Sequence, residues 1–125
     1  MPQALPNPRV EFMNGKSMVK LIETLSCPEE TVPCGFTSDG LSGNWLVHLL
    51  FPRFDSDTLT AAIIHDWCYG GYLSRLEADK LLVTNLLRLR VPKWKRWVIY
   101  AGVRIGGKGH YSRRRDEGNV SRCKG

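Results

Sequence analysis

No run of about eighteen or more apolar residues occurs in the 125-residue chain, so no segment reads as a transmembrane helix. The opening Met1-Pro2-Gln3-Ala4-Leu5-Pro6 lacks both the basic start and the apolar stretch of a secretory leader, and a protein made in the cytoplasm is expected. There is no Cys-x-x-Cys pair among the four cysteines, which argues against a structural zinc site. Without a leader, Cys27, Cys34, Cys68 and Cys123 are expected as free thiols, with Cys68 packed inside a helix; a Cys27–Cys34 link is the alternative. Histidine is scarce: besides His65 only His48 and His110 occur. No internal repeat is present, which excludes a solenoid.

What remains is an ordinary globular balance of 42% hydrophobic and 24% charged residues, in a length that suits one domain with its own core. The charge is unevenly placed. Residues Arg88 to Gly125 carry twelve Lys/Arg against two acids, and the preceding residues six against ten, giving balances of +10 and −4 within the overall +6. A basic end on a slightly acidic body fits a phosphate-bearing partner, either lipid headgroup or nucleic acid, and fits equally a solubilising tail.

Along the chain, local signals change from strand to helix. Arg9-Val10-Glu11-Phe12 runs into the hairpin-turn dipeptide Asn14-Gly15, and Met18 to Leu25 alternates loosely. Pro28 and Pro33 bracket another turn. Cys34 to Gly43 reads as a glycine-rich loop, and Trp45 to Phe51 as a short apolar helix or turn. Asp55, Ser56 or Asp57 is placed to cap a helix reaching Tyr69, with Gly70-Gly71 ending it. Ser74-Arg75-Leu76-Glu77 is a capping box that starts a second helix reaching about Leu89. Pro92 opens a third, closed by Gly106-Gly107. The expected fold is α+β: short N-terminal β-hairpin elements, then a three-helix core containing an antiparallel helical hairpin. One domain spans 1–107, and 108–125 form a basic, flexible tail.

Chemistry concentrates on the first two helices. Asp66 falls within the apolar stripe of Leu59, Ala62, Ile63 and Trp67, and His65 lies about 100° round from it. Asp79 falls within the stripe of Leu76, Leu82, Val83 and Leu86. A carboxylate on a buried stripe must be paired, hydrogen-bonded or metal-bound. His65 precedes the connecting loop, and Asp79 follows it, by five residues each, so at 1.5 Å per residue both stand roughly 7 Å from the loop and face each other. An imidazole held by a buried carboxylate is the base-and-orienter arrangement of general base catalysis. Tyr69, one turn beyond His65, is placed to donate to Asp79, leaving Asp66 for a hard cation. The same cluster also reads as a purely structural polar network. Asp39 is either a further acid near the site or the turn-former of Ser38-Asp39-Gly40.

The ordered motifs Pro33-Cys34-Gly35-Phe36-Thr37-Ser38-Asp39-Gly40-Leu41-Ser42, Ala61 to Tyr69 with its His65-Asp66-x-x-Tyr69, Ser74 to Asp79, and Trp94 to Ala101 resemble a family of uncharacterised phage and prophage proteins. The resemblance covers residues 9 to 107 and implies a phage origin, with location in the host cytoplasm or the virion, without implying an activity. His65-Asp66-x-x-Tyr69 followed by Asp79 is also similar to the catalytic helix and later aspartate of phospholipase A2 domains, though the Tyr-x-Gly-x-Gly calcium loop of that superfamily is missing. This second likeness implies a calcium-dependent lipid-ester hydrolase. In it His65 activates water, Asp79 and Tyr69 orient His65, and Asp66 with Gly35 and Asp39 holds calcium. The alternative is a non-enzymatic virion or assembly protein whose His-Asp-Tyr network is structural.

The third helix interleaves Lys93, Lys95 and Arg96 with Trp94 and Trp97, a composition suited to a phospholipid surface or to nucleic-acid phosphates. The stripe Trp94, Trp97, Val98, Ala101 and Ile105 is expected to face the core, leaving the cations outside. Expected partners are thus a phospholipid or membrane surface, other phage proteins, and nucleic acid through the basic C-terminal region.

Overall fold

A computed structural model describes residues 5–15, 18–38, 58–70 and 73–116, without the side chains of 106–116. Among the described residues five short strands precede three helices, as the α+β expectation requires: β1 (Val10–Phe12), β2 (Val19–Leu21), β3 (Leu25–Ser26), β4 (Thr31–Val32), β5 (Thr37–Ser38), α1 (Leu59–Cys68), α2 (Arg75–Arg88) and α3 (Lys93–Asp116).

Strands β1 and β2 pair antiparallel, Val10 opposite Leu21 and Phe12 opposite Val19, across the expected Asn14-Gly15 turn. Gly15 has φ +73°, a left-handed conformation that costs glycine nothing. On its other edge β2 pairs with β5, Val19 opposite Ser38. Strands β3 and β4 form a second hairpin around Pro28-Glu29, where Cys27 and Glu30 exchange backbone hydrogen bonds of 2.9 and 3.3 Å. Within the stretch expected as a glycine-rich loop, Gly35 (φ +94°) sits in a turn closed by Phe36 N–H on Pro33, and Thr37–Ser38 are strand. Residues 39–57, including Asp39, the Trp45–Phe51 segment and the proposed caps at 55–57, lie outside the described residues.

Helix α1 follows Thr58, whose side chain makes no capping hydrogen bond, and ends at Tyr69, with Gly70 N–H bonding Trp67 carbonyl at 3.0 Å. It is buried on nearly all sides, because β4 and β5 cover one side and α2 the other. Its residue with the most exposure is Trp67, which was expected on the inward stripe; the ring stands edge-on to Phe36 at 5.4 Å, and Nε1–H donates to Glu30 at 3.3 Å. Helix α2 starts at the Ser74 box, where Ser74 Oγ accepts Glu77 N–H at 3.2 Å. Contacts between α1 and α2 proceed outward from their connection. Tyr69 and His65 meet Asp79, while Ala61 and Ala62 share an apolar cluster with Leu82 and Leu86, which is antiparallel order.

Two expectations for α3 are corrected. The backbone helix continues through Gly106-Gly107 to Asp116, since glycine weakens a helix by about 1 kcal/mol but stops it only where the chain turns left-handed. Most of the stripe expected in the core faces outward, with Trp94 62%, Trp97 52% and Ile105 75% exposed, while Val98 packs partly buried against the core. Ile99 and Gly102 are buried instead, with Val103 partly so. Polar anchors fix this rotation. Arg75 Nη2 donates to the carbonyls of Val103 (2.9 Å) and Arg104, and Arg104 reaches Asp79.

The core has two parts, one joining Val19, Leu21, Val32 and Phe36 to Ile63, Ile64 and Tyr69, the other joining Ala61 and Ala62 to Leu82, Leu86, Val91 and Ile99. Cys27 and Cys68 are free thiols, and burial, followed by nearby Glu30 and Cys27, pushes the Cys68 thiol up to about 12. The free-thiol expectation fails at Cys34, which is disulfide-bonded, and the alternative Cys27–Cys34 link fails too, because Cys27 is free. Among the described residues no helix is long and apolar enough to cross a membrane.

Candidate functional site

Helical spacing puts His65 and Tyr69 one turn apart on α1, with ring centroids 4.1 Å apart. Both turn toward Asp79, which is fully buried on the facing side of α2. His65 Nε2 lies 2.6 Å from Asp79 Oδ1, and the Tyr69 hydroxyl donates to the same oxygen. Arg104 Nη1, from α3, donates to Oδ2 at 2.8 Å. Three helices therefore converge on one carboxylate.

Burial alone would raise the Asp79 carboxyl. Hydrogen bonds from His65 and Tyr69, the charge of His65 and the Arg104 hydrogen bond outweigh it and hold the group below the usual carboxylate range. Burial first, and then the neighbouring Asp79, push the Tyr69 hydroxyl well above its ordinary value, so it stays a donor. An ionised carboxylate only accepts, so the hydrogen in the His65–Asp79 bond sits on Nε2. In the neutral imidazole the lone pair is then on Nδ1, to which no hydrogen bond is made among the described residues.

Asp66 is also buried but turns elsewhere: its Oδ2 accepts the Ser38 hydroxyl at 2.6 Å. Since Ser38 ends β5 and Asp39 follows it, Asp66 stands where the glycine-rich loop departs from the sheet. Gly35 lies in the preceding turn, its N–H bonded to Leu21 carbonyl at 2.8 Å. Calcium takes about six to eight oxygen ligands. No group of three or more His, Cys, Asp or Glu suited to a metal occurs among the described residues, and one Asp66 oxygen is already engaged by Ser38. The described donor set does not by itself fit calcium.

The structure thus gathers His65, Tyr69 and Asp79, sets Asp66 and Gly35 apart from them, and leaves Asp39 outside the described residues. Two participants were missed from the sequence. Arg104 counts in the sequence only toward the basic end, although it is the one charge between Trp97 and Gly107. Ser38 was read as a turn residue, and its partner is twenty-eight positions away with no local signal.

Fold and site define a small α+β domain whose helices meet at a buried His-Asp-Tyr-Arg network. The model of a family described as protein of unknown function (DUF1353) matches residues 20–103, which include every member of that network except Arg104. The chain belongs to this uncharacterised, phage-associated family. No curated protein and no solved structure matches it.

Proposed function

We propose that the chain is a non-enzymatic phage virion or assembly protein in which the His65–Asp79–Tyr69–Arg104 network ties the three helices together. The carrying observation is that both oxygens of a fully buried carboxylate are taken by donors from the two flanking helices. A bare buried carboxylate costs several kcal/mol, and these donors offset that cost and keep it ionised and inside. Such a network specifies how the helices pack. The phage setting comes from the family.

A second reading, a calcium-dependent lipid-ester hydrolase of phospholipase A2 type, is favoured by one feature. His65 Nδ1, which would carry the lone pair of the neutral imidazole, has no hydrogen-bond partner among the described residues, while Nε2 is oriented by Asp79. A general base needs that division of labour: Nδ1 takes a proton from water, and Asp79 with Tyr69 keeps the ring in place. Asp66, with Gly35 and Asp39, is where calcium would have to be held in this reading.

One experiment separates the two. Purified protein is incubated with calcium and mixed phosphatidylcholine and phosphatidylglycerol vesicles, fatty-acid release is followed, and melting temperatures are recorded for the wild type, His65→Asn and Asp79→Ala. The structural reading expects no release and lower melting temperatures for both variants, with the protein found in purified particles or bound to another phage protein. Release by the wild type that disappears in a His65→Asn variant of unchanged melting temperature would overturn it in favour of the hydrolase.

A further inference from the structure

Helix α3 is amphipathic with its apolar side turned to solvent. Trp94, Trp97, Ala101 and Ile105 form one exposed stripe, with exposures of 62% and 52% for the tryptophans and 75% for Ile105. At 1.5 Å per residue the stripe runs about 16 Å along the helix. The edge-on contact of Trp97 with Tyr100, at 5.7 Å between centroids, leaves the indole half exposed. The opposite side is fastened by the Arg104–Asp79 bond and by Arg75 on the Val103 and Arg104 carbonyls, so the stripe is not free to roll inward. Lys93 and Lys95 stand roughly 100° to either side of Trp94.

We propose that this face of α3 docks on an anionic lipid bilayer, with the tryptophans and Ile105 entering the headgroup–acyl boundary and Lys93 meeting lipid phosphates. Indole rings favour that boundary because they combine an apolar body with a polar N–H. A basic helix bearing an aromatic-aliphatic stripe lies in the interface plane. Charge selects among possible occupants. Helix α3 carries no acid before Asp116, so a second copy of the chain would bring its basic face against an equally basic one. Nucleic acid supplies phosphates but no apolar phase for Ala101 and Ile105. An anionic bilayer supplies both. The docking is independent of whether the His65 network is structural or catalytic, because none of its residues belongs to the stripe.

The test is co-sedimentation of the full chain with vesicles in the presence of a chelator, which keeps calcium-dependent chemistry out of the readout. Vesicles of phosphatidylcholine are compared with vesicles that also contain phosphatidylglycerol. Binding is expected to be about tenfold or more stronger to the anionic vesicles, reduced by salt, and accompanied by a blue shift of tryptophan emission. Trp94→Ser/Trp97→Ser should weaken binding by about tenfold with little change in melting temperature, because both side chains are exposed. Ile105→Ser, at the far end of the stripe, provides the same comparison should the double variant fold poorly. Lys93→Glu should reduce the preference for anionic lipid. Absence of vesicle binding, or binding indifferent to the stripe variants, would overturn the proposal. So would a tryptophan-dependent dimer, or retention on duplex DNA, without vesicle binding.

Discussion

Arg104 donates to Oδ2 of Asp79 at 2.8 Å, so the carboxylate that orients His65 through Oδ1 is held on its other side by the third helix. Asp79 is the shared member and is wholly buried, whereas the Arg104 side chain is one-third exposed. The consequences of removing each differ accordingly.

Asp79→Ala deprives His65, Tyr69 and Arg104 of a common acceptor, and breaking a buried pair in this way costs about 3 to 5 kcal/mol. Arg104→Gln should lower the urea midpoint by less, because water reaches the guanidinium end and Asp79 keeps His65 and Tyr69. The double variant should cost less than the two single ones combined, since they share one bond. Equilibrium urea unfolding of the three variants measures both points. Strict additivity would show that Arg104 stabilises the fold through some other contact.

Acid should weaken the protein through the same residue. The Asp79 carboxyl lies below its ordinary value when folded, so on acidification the unfolded chain takes up this proton first. Its contribution is complete above the usual carboxylate range and is lost as pH falls through that range toward the lower folded value. Glu29, lowered chiefly by its hydrogen bond to Arg88, acts in the same direction. The melting temperature should therefore fall between pH of about 6 and about 3, and more gently in Asp79→Asn. An equal slope in that variant would assign the acid sensitivity to other carboxylates.

Features that depend on adjacent residues were legible before the fold was known. Asn14-Gly15 marked the hairpin, the Ser74 box marked the start of α2, and the equal distances of His65 and Asp79 from a short connection marked their meeting. What escaped were choices settled between distant elements. The rotation of α3 was inferred from its apolar stripe, on the assumption that tryptophan belongs inside. It is set instead by Arg104 on Asp79 and Arg75 on two helix carbonyls, against which the exposure of Trp94 and Trp97 is tolerated. Ser38 on Asp66 is likewise a long-range pairing without a periodic trace.

The box at Ser74 gives a local prediction. Its hydroxyl accepts Glu77 N–H at 3.2 Å and lies 2.8 Å from Glu77 Oε1, donating to it. Ser74→Ala leaves that N–H to water and should cost about 1 kcal/mol. Thermal unfolding read by circular dichroism should show the loss, with Ser74→Asp retaining most of the stability because its carboxylate still accepts the N–H. Equal losses in both variants would mean that the connection between α1 and α2, rather than the cap, depends on serine.

The other end of α2 carries a residue in the wrong conformation for its type. Arg90 has φ +62°, the left-handed region. Its N–H bonds Leu87 carbonyl at 2.9 Å, and Val91 N–H bonds Leu86 carbonyl at 3.0 Å, the paired bonds of a Schellman helix end. Val91 and Leu86 pack in the same apolar cluster, the hydrophobic contact that accompanies this motif. The turn is therefore fixed by its surroundings, and the strain falls on Arg90, for which a left-handed backbone costs about 1 kcal/mol or more. Arg90→Gly removes that strain but adds freedom to the unfolded chain, leaving a net gain of about 0.5 kcal/mol. Arg90→Val should destabilise, because a β-branched side chain is worse still at positive φ. Melting temperatures ordered Gly above Arg above Val are the expected result; a Gly variant less stable than wild type would show that the Arg90 side chain makes a stabilising contact that outweighs its backbone cost.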